Sequence, residues 1–364
     1  MSIANGLKIL YVAGLSPHDS SQYRAWALER AGHQVVALNF YPYEAGNAIV
    51  RKVVHRLVAG PAVDRFNRDI LAAAEQEKPD VFWADKLLWL QPATLDRMKK
   101  MGIVTVSYMI DNPFGTRSDP GWRLYLKDVP HFDLHVVQRD SNFADYEQRG
   151  ARNVIKIQTA YEPTIHYPPP VGWSDKERTR EVSFIGTSYD DRPALLTRLW
   201  KEFGFPVVIS GDSQWKKRLQ PDAAAALYTG GELYLDGYRQ GIWQSKINLS
   251  FLTHANQDEF AHKSFEIAGC GGFLLAERSV GHSARFVEDE EAVFFTGIEE
   301  CAEKIHRYLG DEAARERIAR AGHARAARDG YHNDAQVEKI VERVRSLIQV
   351  RSQAVAGMGS GPVG

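Results

Sequence analysis

Hydrophobic positions along the chain fall into short runs that alternate with longer segments in which apolar residues recur every three or four positions. The short runs are rich in β-branched and aromatic residues, as in residues 7–13 (LKILYVA) and 104–110 (VTVSYMI). This alternation predicts parallel strands joined by crossover helices. In the first half of the chain, the pattern predicts six strands, at residues 7–13, 35–39, 80–84, 104–110, 134–137 and 153–157.

A proline-rich stretch interrupts the pattern. Residues 162–178 contain four prolines, at positions 163, 168, 169 and 170, so neither a helix nor a central strand can run through them. The alternation then resumes and predicts strands at residues 182–185, 207–210, 232–235, 247–252, 272–275 and 293–295. Three helices follow. The predicted division is an N-terminal Rossmann-like domain (1–162), a linker (163–179), a C-terminal Rossmann-like domain (180–335), a closing helix (336–350) and a disordered tail (351–364).

This organisation predicts two Rossmann-like, doubly wound α/β domains that face a cleft, with ligands at the carboxyl ends of their strands. The chain has 364 residues, 44% of them hydrophobic, which excludes wholesale disorder. It carries 45 Lys and Arg against 46 Asp and Glu, for a net charge of −1. Because charge of both signs is spread over the two halves, nucleic acid is excluded as the main electrostatic partner.

The cysteine content and the N-terminus bear on the compartment. Two cysteines, Cys270 and Cys301, cannot form a disulfide scaffold, and the twelve histidines lack metal-ligand spacing, so no metal site is expected. The N-terminus lacks a basic region and a long apolar run, and no stretch approaches the length needed to span a bilayer. We therefore expect a cytoplasmic protein without a transmembrane segment.

The first candidate site is the turn after the strand at 182–185. Glycine at position 186 lets backbone amides approach a phosphate, Thr187 and Ser188 can donate from their hydroxyls, and the next helix points its positive end at the anion. The alternative is a tight turn between a strand and a helix that only needed a glycine.

A second candidate is the segment 262–273 (HKSFEIAGCGGF), predicted as a short helix that ends in glycines and leads into a strand. His262, Lys263 and Glu266 fall on one side of this helix. A lysine near a helix start is unfavourable for the dipole unless an anion binds there, and Glu266 can accept hydrogen bonds from the hydroxyls of a ribose. An ordinary Lys–Glu surface pair is the alternative.

Together the segments FIGTSYDDR (184–192), KSFEIAGCGGFLL (263–275) and the region from FVEDEEAVFF to residue 332 resemble the C-terminal domain of CgeB-like, family-1-type glycosyltransferases of the GT-B fold. The resemblance spans about residues 180–335. It implies that residues 180–335 form the nucleotide-sugar-binding domain and residues 1–162 the acceptor-side domain. It implies a hexosyltransferase-like enzyme without a bound metal or other cofactor. Its donor would be a nucleotide-diphosphate sugar, with a UDP-sugar favoured, and its acceptor would be a glycan, a lipid-linked group or a protein.

The resemblance also assigns roles. Glu266 would hold the ribose, and Lys263 with the turn at Gly186 and Thr187 would hold the diphosphate. Ser188, Ser264 and Gly271 complete the predicted binding set. Glu259 precedes Glu266 by seven positions, rather than the eight that separate two glutamates in many retaining enzymes of this fold, so the stereochemical outcome stays open.

A general base is expected from the N-terminal domain, since an acceptor hydroxyl must lose its proton. Asp111, which follows a strand and precedes Asn112-Pro113, is the favoured candidate, and a turn-forming role is its alternative. His18 and Asp19, in the loop after the first strand, are further candidates, although Asp19 is also well placed to cap a helix. Two other functions stay open at this point: a non-catalytic sugar- or nucleotide-binding module of a surface or spore-coat assembly, and a nucleotide-sugar epimerase of the same fold.

Overall fold

The computed structural model describes residues 6–116, 119–229 and 231–358, and the chain divides into two α/β units. The first unit comprises residues 1–158 and 334–364, and the second comprises residues 159–333. The predicted linker, 163–179, belongs to the second unit and contains neither helix nor strand. Hydrogen bonds with a later helix hold it there: the Trp173 side chain donates to the carbonyl of Trp243 (3.0 Å), and the Arg239 side chain donates to the carbonyl of Ile165 (2.9 Å).

The first unit contains the six predicted strands, in one parallel sheet of order β2-β1-β3-β4-β5-β6. Its strands are β1 (Lys8–Ala13), β2 (Gln34–Asn39), β3 (Val81–Asp85), β4 (Val104–Tyr108), β5 (Leu134–Val137) and β6 (Val154–Lys156). The crossover segments form α1 (Ser20–Arg30), α2 (Tyr41–Glu44), α3 (Ala48–Leu57), α4 (Pro61–Glu77), α5 (Pro92–Lys100), α6 (Trp122–Asp128) and α7 (Asn142–Gln148), with a 3-10 turn at Val129–His131.

The second unit has a five-stranded parallel sheet of order β11-β10-β9-β7-β8. Its strands are β7 (Arg180–Ile185), β8 (Val208–Ser210), β9 (Ser245–Ser250), β10 (Leu274–Glu277) and β11 (Val293–Phe295). Its helices are α8 (Arg192–Lys201), α9 (Trp215–Arg218), α10 (Pro221–Leu227), α11 (Leu235–Trp243), α12 (His262–Gly269), α13 (Val280–Ser283), α14 (Ile298–Leu309) and α15 (Glu312–Arg328), with a 3-10 turn at His254–Asn256.

The predicted strand at 232–235 is wrong. Residues 232–234 are irregular, and Leu235 begins α11, which buries Tyr238, Ile242 and Trp243. A short apolar run does not distinguish a strand from the first turn of a buried helix, and here the apolar positions that follow continue with helical spacing.

The last helix, α16 (Asn333–Met358), returns to the first unit. Its apolar side packs on one face of the first sheet, against residues of β1, β3 and β4. The buried residues of this side are Val337, Ile340, Val341 and Val344. The helix extends eight residues past the predicted closing helix, through the start of the predicted disordered tail. The rest of that tail, 359–364, lies outside the described residues.

Both sheets are doubly wound. In the first sheet β1 pairs with β2 on one side and β3 on the other, and in the second sheet β7 pairs with β8 and β9. The chain therefore changes direction across each sheet at β1/β3 and at β7/β9. Crevices for ligands form at the carboxyl ends of strands beside such switch points.

A buried ion pair fastens α1 to the switch point of the first sheet. Arg24 donates from Nε and Nη2 to the two carboxylate oxygens of Asp85, at 2.6 and 2.7 Å. The hydroxyl of Tyr11 also donates to Asp85 (2.5 Å), and the guanidinium lies 4.2 Å from the centre of the Tyr108 ring. Arg24 and Asp85 are 5% and 1% exposed. A bidentate pair with these additional partners compensates for the loss of hydration.

Replacement of Arg24 by Met would leave the Asp85 charge buried without its main partner, so the free energy of unfolding should fall by about 3–5 kcal/mol. The double variant Arg24→Met/Asp85→Leu should recover much of this loss. Urea unfolding followed by circular dichroism measures both. The matched control is Arg30→Met, whose ion pair with Asp334 is about one-third exposed and should contribute less than about 1 kcal/mol. Equal losses for Arg24→Met and Arg30→Met would contradict the prediction.

Candidate functional site

The turn after β7 lies at the switch point of the second sheet. The amide of Gly186 donates to the carbonyl of Ser210 (2.9 Å), and Trp215 donates to the carbonyl of Gly186 (2.7 Å). Both backbone groups of this glycine therefore serve the fold. Of the predicted hydroxyls, that of Thr187 belongs to a half-buried residue, whereas Ser188 is 2% exposed.

Arg192, the first residue of α8, joins the ends of the two switch-point strands. Its guanidinium donates to the carbonyl of Thr187 (3.0 Å) after β7, and to the carbonyl of Leu252 (2.9 Å) and the hydroxyl of Thr253 (3.0 Å) after β9. Arg192 is 6% exposed. Five donors in a rigid plane allow one buried side chain to fix both loops at once.

Lys263 brings the two predicted binding segments together. A methyl group added to Gly186 would meet Cε of Lys263 at 2.9 Å, so the lysine side chain runs directly over the turn after β7. Its ammonium lies 4.7 Å from the centre of the Tyr238 ring and 3.4 Å from that hydroxyl. The lysine side chain is 33% exposed. A larger residue at position 186 would push the end of this lysine aside.

Glu266 is the most heavily contacted carboxylate of the site. Tyr238 donates to Oε2 (2.6 Å), His262 contacts Oε1 (3.0 Å), and Nε2 of His166 lies 3.7 Å from Oε1. The ammonium of Lys263 is 3.9 Å away. Because Glu266 is only 7% exposed, it does not form the surface pair that the sequence left open as an alternative.

The charges at Glu266 and Lys263 follow from these contacts. Burial alone would raise the pKa of Glu266, but His262, His166 and Lys263 hold it well below its usual range. Burial lowers the pKa of His166 to about 4, against the attraction of Glu266. Burial also lowers the pKa of Lys263, and nearby Arg192 lowers it further. Near neutral pH, the site therefore combines an ionised carboxylate with a neutral His166.

Ser264 points into the protein. Its hydroxyl lies 2.9 Å from Nε2 of His282 and 3.0 Å from the hydroxyl of Ser250, and Ser264 is fully buried. His282 also accepts a hydrogen bond from the amide of Ala261 (3.1 Å), the residue that precedes α12. The carbonyl of Glu277 lies 2.8 Å from Nδ1 of His282. His282 and Ser264 thus position the start of the helix that carries Lys263 and Glu266.

Gly271 lies at the other end of α12, before β10 and so at the amino edge of the sheet. It has a positive φ of 66°, and a methyl group there would meet Cβ of Pro168 at 3.2 Å. The structure therefore does not bring Gly271 together with Lys263 and the turn after β7. A chain reversal packed on the proline-rich segment explains this glycine.

Sequence reasoning missed Tyr238 and His166 and assigned no role to Arg192. Tyr238 lies on α11, just after the segment where a strand was expected, and His166 lies in the predicted linker. For Tyr238 and His166 the sequence offered no signal. Arg192 could have been found from its position, because it directly follows the glycine turn.

Asp111, the favoured general base, follows β4 at the carboxyl edge of the first sheet. Its carboxylate lies 2.8 Å from the ammonium of Lys86, and its side chain is 14% exposed. Lys86 directly follows β3 and adopts a positive φ of 54°. Asp111 and Lys86 thus lie at the ends of neighbouring strands.

His18 and Asp19 lie in the loop after β1. Nδ1 of His18 is 3.1 Å from the hydroxyl of Ser16. Asp19 directly precedes α1, but its carboxylate does not cap that helix. The carboxylate accepts hydrogen bonds from the amide of Ser16 (2.9 Å) and the hydroxyl of Tyr41 (2.8 Å) instead. The capping alternative for the Asp19 side chain is therefore wrong.

Comparison with known proteins identifies similar families and folds. Residues 192–342 match the protein family described as "Glycosyl transferase-like". No curated protein matches the sequence. Among solved structures, the chain is similar to sucrose-phosphate synthase from Thermosynechococcus elongatus, with a TM-score of 0.69 and 12% identity over 94% of this chain and 100% of that one.

Two further structures are similar over nearly their full length. A glycosyltransferase from Rickettsia africae has a TM-score of 0.65 and 12% identity, with 94% of this chain and 99% of that chain covered. Anabaena HepE in complex with UDP-glucose has a TM-score of 0.65 and 14% identity, with 93% and 100% covered. The predicted GT-B fold is confirmed, and the family match bears out the expectation of a glycosyltransferase-like enzyme. The CgeB-like subtype stays a prediction.

Within the described residues, no helix has the length and apolarity required to cross a bilayer. Residues 6–116, 119–229 and 231–358 contain no group of three His, Cys, Asp or Glu side chains arranged to hold a metal ion. Cys270 and Cys301 are both buried and free.

Acid should destabilise the protein through His282. Burial lowers its pKa to about 4 in the folded state, whereas an unfolded histidine has a pKa of about 6.5. The unfolded chain therefore binds more protons between these values, so stability is lost as the pH falls through that window. Between pH 7 and pH 5 we expect this histidine to account for about 2 kcal/mol of the unfolding free energy.

Urea unfolding at the two pH values tests this effect. His282→Gln should show a shallower dependence on pH than the wild type, whatever its stability at pH 7. His306→Gln removes an exposed histidine and should keep the wild-type pH dependence. If wild type and His282→Gln lose the same free energy between pH 7 and pH 5, the assignment fails.

Proposed function

We propose that the protein transfers a sugar from a nucleotide-diphosphate sugar to an acceptor hydroxyl, with the donor bound at the carboxyl edge of the second sheet. The observation that carries the proposal is the contact of Lys263 with the turn at Gly186, beside Glu266. It joins a cation, a glycine turn and a carboxylate at one switch point. The matches to glycosyltransferase structures support the reaction class, and the UDP-glucose complex of HepE supports a UDP-sugar as donor.

The diphosphate would bind between Lys263 and the turn after β7. One-third exposure of the lysine side chain lets the ammonium reach a ligand. Burial and nearby Arg192 lower its pKa, so an added anion would stabilise the charged form. Helices α8 and α12 both begin at this edge, so the positive ends of their dipoles would also face the diphosphate. In this proposal, these groups, rather than a metal ion, neutralise the charge that develops on the leaving diphosphate.

The ribose would bind at Glu266. An ionised carboxylate offers about four acceptor positions, and Tyr238 and His262 use one on each oxygen. One position on each oxygen therefore remains for the two ribose hydroxyls. Tyr238 and His262 hold the carboxylate in place, so the geometry of the acceptor positions is set before the ligand arrives.

The acceptor hydroxyl would lose its proton to a base in the first unit. We assign this role to Asp111, with His18 and Asp19 as the remaining candidates. Asp111 has the required position at the carboxyl end of a strand and retains partial exposure beside Lys86. Transfer then forms a bond between the acceptor oxygen and the anomeric carbon and breaks the bond to the diphosphate, which leaves with its electron pair.

Loss of the Lys263 charge should weaken nucleotide binding. For Lys263→Met we expect the dissociation constant of the preferred nucleoside diphosphate to rise about 10- to 100-fold, because one charge-assisted contact to a phosphate is lost. Isothermal titration calorimetry with UDP, GDP and ADP measures this change, and UDP should bind most tightly.

The control is Lys201→Met, since Lys201 also lies over an aromatic ring, 5.6 Å from the centre of Trp200, but at the opposite end of α8 from Arg192. Its nucleotide affinity should equal that of the wild type. Failure of all three nucleotides to bind the folded protein would contradict the proposed donor site.

Asp111→Asn should lower the turnover number by about 10²- to 10⁴-fold, since a general base is removed. Nucleotide affinity should stay at the wild-type value because the second unit holds the donor. The assay follows release of UDP from UDP-glucose in the presence of candidate acceptors. The corresponding variants His18→Gln and Asp19→Asn serve as comparisons, and full activity of Asp111→Asn would assign the base to another residue.

A further inference from the structure

Helix α3 of the first unit exposes a stripe of large apolar side chains. Ile49, Val53 and Leu57 are 71%, 49% and 61% exposed. Spaced four residues apart, they line one side of the helix over its whole length. No other helix in the described part of the chain carries three exposed large apolar side chains.

The helix does not need this stripe in order to fold. Its opposite side is anchored by Val54 and Val58, which are 9% and 7% exposed within the core that also contains Phe66. The side chain of Asn47 caps its start by accepting from the amide of Ile49 (2.8 Å). The exposed stripe is therefore additional to the groups that hold α3 on the sheet.

Cations flank the apolar stripe. Lys52 and Arg56 follow Ile49 and Val53 by three residues each, so they lie alongside the stripe, and both are exposed. Residues 48–57 contain three Lys or Arg side chains and no Asp or Glu, whereas the chain as a whole has a net charge of −1. The positive charge is therefore local to the exposed helix.

We propose that α3 docks on the surface of an anionic phospholipid bilayer, with the apolar stripe at the boundary of the acyl chains and Lys52 and Arg56 on the phosphate groups. A helix with an exposed aliphatic face and flanking cations has the composition of interfacial helices. Each cation near an anionic surface adds attraction that disappears at high salt.

The charges disfavour a second copy of the chain as the occupant. A symmetric dimer through the stripe would bring the Lys52 and Arg56 side chains of both copies to one interface, where like charges repel. The aliphatic composition also differs from the Trp- and Tyr-rich centres of protein interfaces. An anionic lipid surface satisfies both the apolar and the cationic groups.

Vesicle flotation with the full-length protein tests the proposal. At low ionic strength, the protein should float with vesicles of phosphatidylglycerol and phosphatidylcholine in equal parts, and should bind vesicles of phosphatidylcholine alone much more weakly. Lys52→Glu/Arg56→Glu should lower partitioning by at least about 25-fold, as loss of each cation costs about fivefold. Ile49→Ser/Val53→Ser/Leu57→Ser should abolish flotation.

Matched controls lie in the second unit. Val280→Ser removes a valine that is 91% exposed, and Lys217→Glu reverses an exposed lysine. Both should float like the wild type, and every variant should keep the wild-type melting temperature because the replaced side chains are exposed.

Three results would overturn the proposal: no flotation of the wild type with anionic vesicles, undiminished flotation of the Lys52→Glu/Arg56→Glu variant, or a dimer in sedimentation equilibrium that Val53→Asp dissociates. The last result would assign the stripe to a second copy. Flotation is measured without nucleotide, so its outcome is separate from that of the proposed sugar transfer.

Discussion

The architecture depends on one constraint: every strand pair in both sheets is parallel, so the chain must cross over a sheet face after each strand. All the loops that follow the strands of a sheet consequently collect at its carboxyl edge. The strand order opens a gap between neighbouring loops only where the winding changes direction, at β1/β3 and β7/β9. The turn at Gly186 and the loop after β9 meet at the second of these positions, and the buried guanidinium of Arg192 keeps them in register.

The site in the second unit is a set of opposed charges that the fold leaves incompletely matched. Several surrounding groups stabilise the ionised Glu266, whereas Lys263 contacts the ring of Tyr238 and lies 3.9 Å from the Glu266 carboxylate. A buried carboxylate held by hydrogen bonds keeps its geometry, and a partly exposed cation beside a glycine turn attracts an anion. Glu266 thus supplies the fixed geometry and Lys263 supplies the attraction for an anion, and the two residues are three positions apart on α12.

Prediction from sequence succeeded where the determinant was local. Hydrophobic spacing identified all six strands of the first sheet, and the positions of Lys263 and Glu266 on one helix gave their proximity. It failed where the determinant was a distant partner. Tyr238 and His166 reach Glu266 from segments 28 and 100 residues earlier, and only the folded chain brings them together. The prediction of a strand at 232–235 was wrong because the short apolar run there leads into α11, whose buried side determines the conformation.

The return of α16 to the first sheet has a consequence for biosynthesis. Its apolar side chains, such as Ile340, cover a sheet face built from strands that end before residue 158. A ribosome must therefore complete the whole second unit before this face can be shielded from water. Until then the N-terminal sheet presents uncovered apolar surface to chaperones and to other nascent chains, whereas the second unit has every segment of its own core once residue 333 is made. The order of translation thus lets the second unit complete its core before the first unit does.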